Sequence, residues 1–244
     1  MRTAVVTGAS SGIGAASARA LVADGWRVVA AARRMDRIEA LVAELAPNGI
    51  GHFLDVTDQP SVDALAAAVD RCDLLVNNAG GAHGLKRIDA ADPAEWDWMF
   101  QANVLGTVRV TKALLPKLLA APAGLIINIV SIAGHYPYAG GGGYNAAKFG
   151  ERALTGVLHH ELAGTPVRVT EIDPGLVTTE FSLVRFGGDQ AAADAVYDGV
   201  EPLTAPDVAE AIRWVAAQPA HVNIDSLMIT SRDQVGPNKV PLAR

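Results

Sequence analysis

Cysteine, positive charge and long hydrophobic runs are scarce in this sequence, and each scarcity excludes a class of protein. Cys72 is the single cysteine among 244 residues, so a disulfide within the chain is excluded. No Cys and His residues stand at the spacing of a zinc site, and we expect no metal. One cysteine suits the reducing cytoplasm, which is where we expect this protein.

Charge and hydropathy exclude two kinds of partner. The chain has 20 Lys and Arg against 26 Asp and Glu, a net charge of -6, and its one basic cluster lies within 33–37. This cluster is too small to follow a phosphate backbone, so no nucleic-acid partner is expected. The longest stretch without Asp, Glu, Lys or Arg, 118–147, is broken by Pro and Gly and cannot span a membrane. The first residues are typical of a strand rather than a signal peptide.

Short apolar segments alternate with helical segments along the whole chain. The apolar segments are almost continuously hydrophobic, which requires cover on both faces of a sheet, as crossover helices provide. We predict one α/β domain over 1–244, with a doubly wound parallel sheet of about seven strands and helices on both faces. The predicted strands are 3–7, 26–32, 52–56, 73–78, 124–131, 167–175 and 226–230, and the predicted helices are 13–24, 37–45, 61–69, 93–119, 144–162 and 206–217.

Residues 181–199 interrupt this alternation just after the carboxyl end of a predicted strand. Ligands of open α/β sheets bind at that edge, so we interpret the segment as a substrate lid. The alternative is an ordinary surface helix with a glycine turn.

A glycine-rich turn, TGASSGIG over 7–14, joins the first predicted strand to the first helix. Glycines at these positions permit a tight turn, a close approach of backbone to a pyrophosphate, and close helix packing. The helix N-terminus presents unpaired amides to phosphate groups. The turn predicts a dinucleotide site that includes Gly8, Ser10, Ser11, Gly12, Ile13 and Gly14.

The end of the second predicted strand carries Arg33 and Arg34, at the place where an NAD site has a carboxylate. Guanidinium groups suit a ribose 2′-phosphate, so NADP is favoured over NAD. The alternative is that both arginines only solvate the next helix.

At the third strand's end, Asp55 and Val56 are candidates for the adenine pocket, with a helix cap as the alternative role for Asp55. Further cofactor contacts are predicted at Asn78, Ala79 and Gly80.

Three residues have the pattern of an acid/base site. Tyr144 and Lys148 are four residues apart on a predicted helix and share a face, and Ser131 ends the preceding strand. A tyrosine can exchange protons near neutrality only if a nearby cation favours the phenolate, and Lys148 is placed to do so. We expect Ser131 to hold the substrate oxygen.

These motifs together resemble the short-chain dehydrogenase/reductase family. The matching elements occur in family order over nearly the whole chain: TGASSGIG from Thr7, NNAG from Asn77, Asn103, Ser131, YNAAK from Tyr144 to Lys148, and DPGLVTTEF from Asp173. The resemblance implies a Rossmann-like fold and a catalytic tetrad of Asn103, Ser131, Tyr144 and Lys148. In it Tyr144 is the acid/base, Lys148 also binds the nicotinamide ribose, and Asn103 anchors a relay water. Without the resemblance, Asn103 would be interpreted as a polar helix residue.

The resemblance also implies nicotinamide contacts by Pro174, Gly175, Val177 and Thr179. It further implies that the helices that start at Pro93 and Tyr144 pair in a homotetramer.

A narrower resemblance lies in the last third, where PGLVTTEFSLVRFGGD from Pro174 and AHVNIDSLMIT from Ala220 are similar to the NADP-dependent 3-hydroxy acid dehydrogenases that act on serine or allo-threonine. It implies a small, carboxylate-bearing substrate, for which Arg185 is the candidate partner; a surface arginine is the alternative. The chain departs from this subgroup in four consecutive glycines at 140–143 and in a segment after Val177 that is one residue shorter.

The sequence therefore predicts an NADP-dependent oxidoreductase that interconverts a small 3-hydroxy acid and its 3-oxo acid, with Tyr144 as acid/base. The expected partner is the small hydroxy or oxo acid substrate. Two alternatives stay open, a 3-oxoacyl thioester or general carbonyl reductase and a non-catalytic NADP-binding sensor.

Overall fold

A parallel sheet of seven strands forms the centre of the computed structural model, which describes residues 1–240. Its order is β3-β2-β1-β4-β5-β6-β9, and each strand is parallel to its neighbours. The chain order reverses between β1 and β4, which makes that position the switch point where ligands of such sheets bind. The strands described are β1 (Thr3–Thr7), β2 (Arg27–Ala32), β3 (Gly49–Phe53), β4 (Leu74–Asn77), β5 (Leu125–Ile129), β6 (Arg168–Pro174), β7 (Val177–Thr178), β8 (Leu203–Thr204), β9 (Ser226–Ile229), β10 (Gln234–Val235) and β11 (Asn238–Lys239).

Helices connect the successive strands of the seven-stranded sheet, as parallel crossovers require. They are α1 (Gly12–Ala23), α2 (Met35–Glu44), α3 (Gln59–Ala68), α4 (Pro93–Phe100), α5 (Gly106–Ala120), α6 (Gly142–Glu161), α7 (Glu180–Arg185), α8 (Gln190–Ala195) and α9 (Ala205–Ala216), with short 3₁₀ turns at Ile88–Ala90 and Ile132–Gly134. A π-helical turn at Gln101–Leu105, the π segment, joins α4 to α5. No helix within 1–240 is long and apolar enough to cross a lipid bilayer.

Two hydrophobic layers cover the two faces of the sheet. One layer contains Leu21 of α1, Ile38 of α2 and Ile212 of α9, and the other contains side chains from α3, α5 and α6. Successive strand residues alternate between the layers, so Ile126 and Ile127 of β5 lie in different ones. The predicted fold class, a doubly wound α/β domain with a seven-stranded parallel sheet and helices on both faces, is confirmed.

The third strand was predicted at 52–56, and this boundary is wrong, because β3 ends at Phe53. The Leu54 amide still donates to the Ala32 carbonyl at 3.1 Å. The Asp55 carboxylate then accepts hydrogen bonds from the amide and hydroxyl of Thr57, at 2.9 and 2.7 Å. This local turn ends the strand before Val56.

The single helix predicted over 93–119 is interrupted by the π segment. The Asn103 side-chain amide donates to the carbonyl of Met99, one turn earlier, at 2.7 Å. Because the Asn103 side chain occupies the Met99 carbonyl as a hydrogen-bond acceptor, it favours the wider π-helical turn at this point. Two small sheets, β7 with β8 and β10 with β11, were not predicted at all, since each of their strands has two residues.

Because the two layers are closely packed, a cavity on the central strand should cost more than one at the sheet edge. Ile127 of β5 has no exposed surface, whereas Ile50 of the edge strand β3 is 39% exposed. We expect Ile127→Ala to lower the free energy of unfolding by about 2–5 kcal/mol, measured by urea denaturation. Ile50→Ala is the matched control with an expected loss below about 1.5 kcal/mol. Equal losses would contradict this description of the core.

Candidate active site

The glycine-rich turn forms a cradle at the start of α1. Gly8 has φ +66°, a conformation that favours glycine. A Cβ atom on Gly14 would lie 2.5 Å from the Gly8 carbonyl oxygen and 2.6 Å from Asn78 Nδ2, so a side chain there would push the turn open. The Asn78 side chain in turn donates to the Thr7 carbonyl at 2.9 Å, which ties the end of β4 to the end of β1.

Two adjoining cavities lie at the carboxyl ends of the strands, with volumes of about 300 and 310 Å³. They share lining residues such as Asn78, Gly80 and Thr179. The first, the catalytic cavity, is also lined by the predicted residues Asn103, Ser131, Tyr144, Lys148, Pro174, Gly175, Val177 and Arg185. The second, the nucleotide cavity, is also lined by Gly8, Ser10, Ser11, Gly12, Arg33, Arg34, Asp55, Val56 and Ala79. Ile13 lines both. Gly14 is the one predicted site residue that lines neither; it packs against Gly8.

Arg34 lies across the glycine-rich turn. Its Nη2 donates to the hydroxyl oxygens of Ser10 and Ser11, at 3.0 and 2.7 Å, and its Nη1 donates to Glu180 Oε2 at 2.9 Å. Arg33 is exposed and lines the same cavity. Two guanidinium groups at the predicted place for a 2′-phosphate, beside the amides of α1, form a donor set that fits NADP.

Asp55 does not cap α3. Asp58 has that position, and its side chain accepts from the Ser61 amide at 3.1 Å. Burial tends to raise the pKa of Asp55, but the hydrogen bonds from Thr57 outweigh it and hold the pKa below its usual value. The Asp55 carboxylate therefore stays ionised at the wall of the nucleotide cavity.

The structure brings Ser131, Tyr144 and Lys148 to one wall of the catalytic cavity. Ser131 follows β5, and its Oγ accepts from the Ala133 amide at 3.0 Å. Lys148 Nζ lies 5.9 Å from the centre of the Tyr144 ring and donates to the Ile129 carbonyl at 2.9 Å. One turn of α6 thus places the cation beside the phenol, as the spacing predicts.

Burial and charge act on Tyr144 in opposite directions. Burial raises the pKa of the Tyr144 phenol above its usual value, while the charge of Lys148 and the hydroxyl of Ser131 lower it. Lys148 therefore has the expected effect on the phenol, but in the free protein burial is the larger contribution.

Asn103 is completely buried in the π segment. Its side chain pairs with the backbone of Gly81, accepting from the amide at 3.1 Å and donating to the carbonyl at 2.9 Å. The Asn103 backbone carbonyl accepts from the Thr107 hydroxyl at 2.8 Å. The residue therefore holds the loop after β4 against the catalytic cavity.

Arg185 points into the catalytic cavity from α7. Its Nε donates to the Gly84 carbonyl at 2.9 Å and its Nη1 to the Tyr138 hydroxyl at 3.1 Å. The guanidinium carbon lies 5.5 Å from the centre of the Tyr144 ring. Arg185 is therefore held by hydrogen bonds and partly buried at the wall of this cavity.

Sequence reasoning missed two charged residues of the site. Glu151 pairs with Lys148, and a spacing of three residues on one helix could have identified it. Glu180 pairs with Arg34 and Arg37, which are 146 and 143 residues away in sequence, so no local pattern could have indicated it.

The fold and site together define a doubly wound dinucleotide-binding domain with a Ser, Tyr and Lys constellation beside the nucleotide cradle. The chain belongs to the short chain dehydrogenase family, whose sequence pattern matches residues 2–185.

Relatives and a solved structure extend this assignment over almost the whole chain. An uncharacterized oxidoreductase of Mycobacterium tuberculosis is 57% identical over 98% of this chain and 94% of its own. Serine 3-dehydrogenase of Agrobacterium fabrum is 44% identical over 95% of this chain and 94% of its own. Sulfoacetaldehyde reductase of Chromohalobacter salexigens is 44% identical over 92% and 91%. The closed form of a serine dehydrogenase complexed with NADP⁺ has a TM-score of 0.93 and 41% identity, with 96% of each chain covered.

The pairing of Glu180 with the arginines predicts a pH dependence. Hydrogen bonds from Arg37 and Arg34 lower the pKa of Glu180 from 4.5 to about 2. A depressed carboxyl pKa contributes stability that is present above about pH 4.5 and is lost as pH falls towards 2. We expect Glu180→Gln to lower the melting temperature by a few degrees at most at pH 6, since the pair is partly exposed, and by less at pH 3. Glu39→Gln, an exposed change on α2 with the same effect on net charge, is the control. A difference that grows at low pH would contradict the pairing.

Proposed function

We propose that this protein is an NADP-dependent oxidoreductase that interconverts a small 3-hydroxy acid and its 3-oxo acid, with Tyr144 as the acid/base. Serine, allo-threonine and 3-hydroxypropionate are the substrates of first choice. The observation that carries the proposal is the position of Arg185, which lines the same cavity as Ser131 and Tyr144.

Arg185 gives the cavity a site for an anionic group beside the proposed acid/base. A guanidinium has five N–H donors, and two of its nitrogens contact Gly84 and Tyr138. Arginine binds carboxylates through charge-assisted, often bidentate hydrogen bonds. In a 3-hydroxy acid, one carbon separates the carboxylate from the reacting carbon, so an acid held by Arg185 would present that carbon to Tyr144.

The relatives support an anionic substrate of this size. In serine, one carbon separates the carboxylate from carbon 3, and in sulfoacetaldehyde one carbon separates the sulfonate from the aldehyde. The substrates in these two names are thus both small molecules whose anionic group is one carbon away from the reacting carbon. A sulfonate is accordingly the second anion to test.

Each residue of the constellation has a separate task in this proposal. The glycine-rich turn would hold the cofactor, with Arg33 and Arg34 at its 2′-phosphate; NADP⁺ would accept a hydride in oxidation and NADPH would supply one in reduction. Ser131 holds the substrate oxygen. In oxidation the Tyr144 oxygen takes the proton of the substrate hydroxyl, and in reduction it returns a proton to the carbonyl oxygen. The charge of Lys148 favours the phenolate, and Asn103 keeps the loop after β4 in place.

The segment 181–199 is part of the proposal as a lid. Its α7 carries Arg185, and Phe181 packs on the Tyr144 ring with their centres 5.4 Å apart. The Gly84 amide donates to the Arg185 carbonyl at 2.8 Å, so the segment contacts the loop after β4. We also retain the homotetramer as a prediction, since α4 and α6 expose Phe100, Phe149 and Val157. The cytoplasm stays the expected location.

The two alternatives predict different substrates or none. A 3-oxoacyl thioester or general carbonyl reductase would accept bulky, uncharged groups and would not need Arg185. A non-catalytic sensor would need cofactor affinity but no proton donor, so the assembled Ser131, Tyr144 and Lys148 support an enzyme.

The experiment that tests the function follows the absorbance of the reduced nicotinamide. The panel contains serine, allo-threonine, 3-hydroxypropionate, simple secondary alcohols and, in the reverse direction, sulfoacetaldehyde, each with NADP(H) and with NAD(H). We expect turnover of the anionic substrates with NADP(H), and a loss of at least about a hundredfold in kcat for Tyr144→Phe. Turnover of uncharged alcohols alone would overturn the substrate assignment, and turnover with NAD(H) alone would overturn the cofactor assignment. Full activity of Tyr144→Phe would overturn the mechanism.

Removal of the Arg185 guanidinium should raise KM for anionic substrates alone. We expect Arg185→Met to raise KM for the hydroxy acid roughly ten- to hundredfold, because a charge-assisted contact is lost, and to change KM for uncharged alcohols little. The matched control is Arg87→Met, since the Arg87 side chain is 86% exposed. An equal effect of Arg185→Met on charged and uncharged substrates would contradict the assignment.

A further inference from the structure

A buried ion pair lies directly behind the proposed acid/base. Lys148 Nζ donates to Glu151 Oε2 at 2.6 Å, and the two side chains are only 7% and 2% exposed. The family resemblance assigns a role to Lys148 and none to Glu151. A carboxylate in so dry a position is costly unless it is fully paired, so its presence beside the proposed catalytic lysine needs an explanation.

Glu151 is held from two elements. Its Oε1 lies 3.1 Å from the hydroxyl of Thr107 at the start of α5, and the same hydroxyl lies 2.8 Å from the Asn103 carbonyl. Its Oε2 receives the Lys148 ammonium from the preceding turn of α6. Both carboxylate oxygens are therefore used, and the contacts extend without a break from Lys148 to the π segment.

We propose that Glu151 is a positioning residue of the active site, which holds Lys148 Nζ in place and offsets the positive charge that Lys148 presents to Tyr144. This proposal rests on the proposed function, because it assigns Glu151 a role in the acid/base step of the same site.

The electrostatic consequence has a definite sign. Lys148 alone would lower the pKa of Tyr144, and a carboxylate bonded to Lys148 cancels part of that effect at the phenol. The charge of Glu151 also raises the pKa of Lys148 against the opposing effect of burial, so the ammonium remains protonated over a wide pH range. Glu151 thus keeps Lys148 charged and at the same time limits how far it acidifies Tyr144.

Other charged and titratable groups face this pair from several elements. Tyr138 and Arg185 line the same cavity as Tyr144 and also act on it. Burial raises the pKa of Glu151, the charge of Lys148 opposes this, and Asp173 of β6 adds to the rise. Asp173 also helps Glu151 to raise the pKa of Lys148 against the effect of burial. Three more groups lie around Asp173: His135 Nε2 is 3.1 Å from its carboxylate, Glu171 is on the same strand, and Arg152 is 3.5 Å from Glu171. These groups are common to wild type and to every variant below, so a difference between variants reports on the changed residue.

The direct test measures the titration of Tyr144 without any substrate. The full-length protein is labelled with ¹³C at tyrosine Cζ and followed by NMR as pH is raised; the chain has four tyrosines, and Tyr144→Phe identifies the resonance. We expect Glu151→Gln, which keeps the shape of the side chain and one acceptor oxygen while removing the charge, to move the Tyr144 titration roughly one to two pH units lower. A shift of this size is what removal of one charge close behind Lys148 produces at an effective dielectric constant near 20.

Two variants control for other effects. Glu44→Gln makes the same change in net charge at an exposed ion pair with Arg19 and should leave the Tyr144 titration unchanged. Thr107→Val removes a hydrogen bond to Glu151 but keeps both charges, so we expect a shift below about half a pH unit. A titration that Glu151→Gln leaves unchanged or moves upward would overturn the proposal, as would an equal shift in Glu44→Gln.

Two further measurements distinguish a failure of this proposal from a folding defect and from a failure of the proposed function. If Glu151→Gln does not fold, Glu151→Asp withdraws the carboxylate by one methylene and should move the Tyr144 titration downward by a smaller amount; no shift would overturn the proposal. With an active substrate, the alkaline rise of kcat for oxidation should move to lower pH in Glu151→Gln, and Glu151→Asp should restore part of it. Because the NMR titration needs no substrate, failure of the proposed function would leave this test intact.

Discussion

The parallel sheet needs helices on both of its faces, and this requirement determines where every candidate site residue lies. Each crossover returns the chain to the edge where the strands begin, so all seven strands run in the same direction and their carboxyl ends meet at the opposite edge. The glycine-rich turn follows β1, Arg33 and Arg34 follow β2, and Ser131 follows β5. Residues that are far apart in sequence therefore line two adjoining cavities at one edge.

The second constraint is the cost of charge in a dry interior. Lys148 is useful beside Tyr144 only if it remains an ammonium, and burial works against that. Glu151 resolves the conflict for the lysine but creates a second buried charge, which Thr107 satisfies from α5. The hydrogen bonds that hold these groups run back to the π segment, so the irregular turn in the helix and the charge beside the proposed acid/base belong to one network.

Much of the fold and the site could be predicted because the signals are local. Hydrophobic runs broken by glycine identified the strands, the spacing of Tyr144 and Lys148 placed both on one helix face, and the turn at 7–14 indicated the nucleotide cradle. The predictions that were wrong also have local causes, such as the Thr57 contacts that end β3 early and the Asn103 contact that widens the helix. These depend on which hydrogen bond a side chain makes, and hydrophobic periodicity does not report that.

The sequence by itself determined the order of elements, the phosphate cradle and the Ser131, Tyr144 and Lys148 constellation, because each depends on residues close together in the chain or on a motif at a fixed place in a βαβ unit. Only the tertiary structure decided that Arg185 points at Tyr144, that Glu180 pairs with Arg34, and that Thr107 completes the surroundings of Glu151. Those contacts join elements whose separation in space is set by packing of the whole sheet and its two helical layers, and packing at that range leaves no periodic pattern in the sequence.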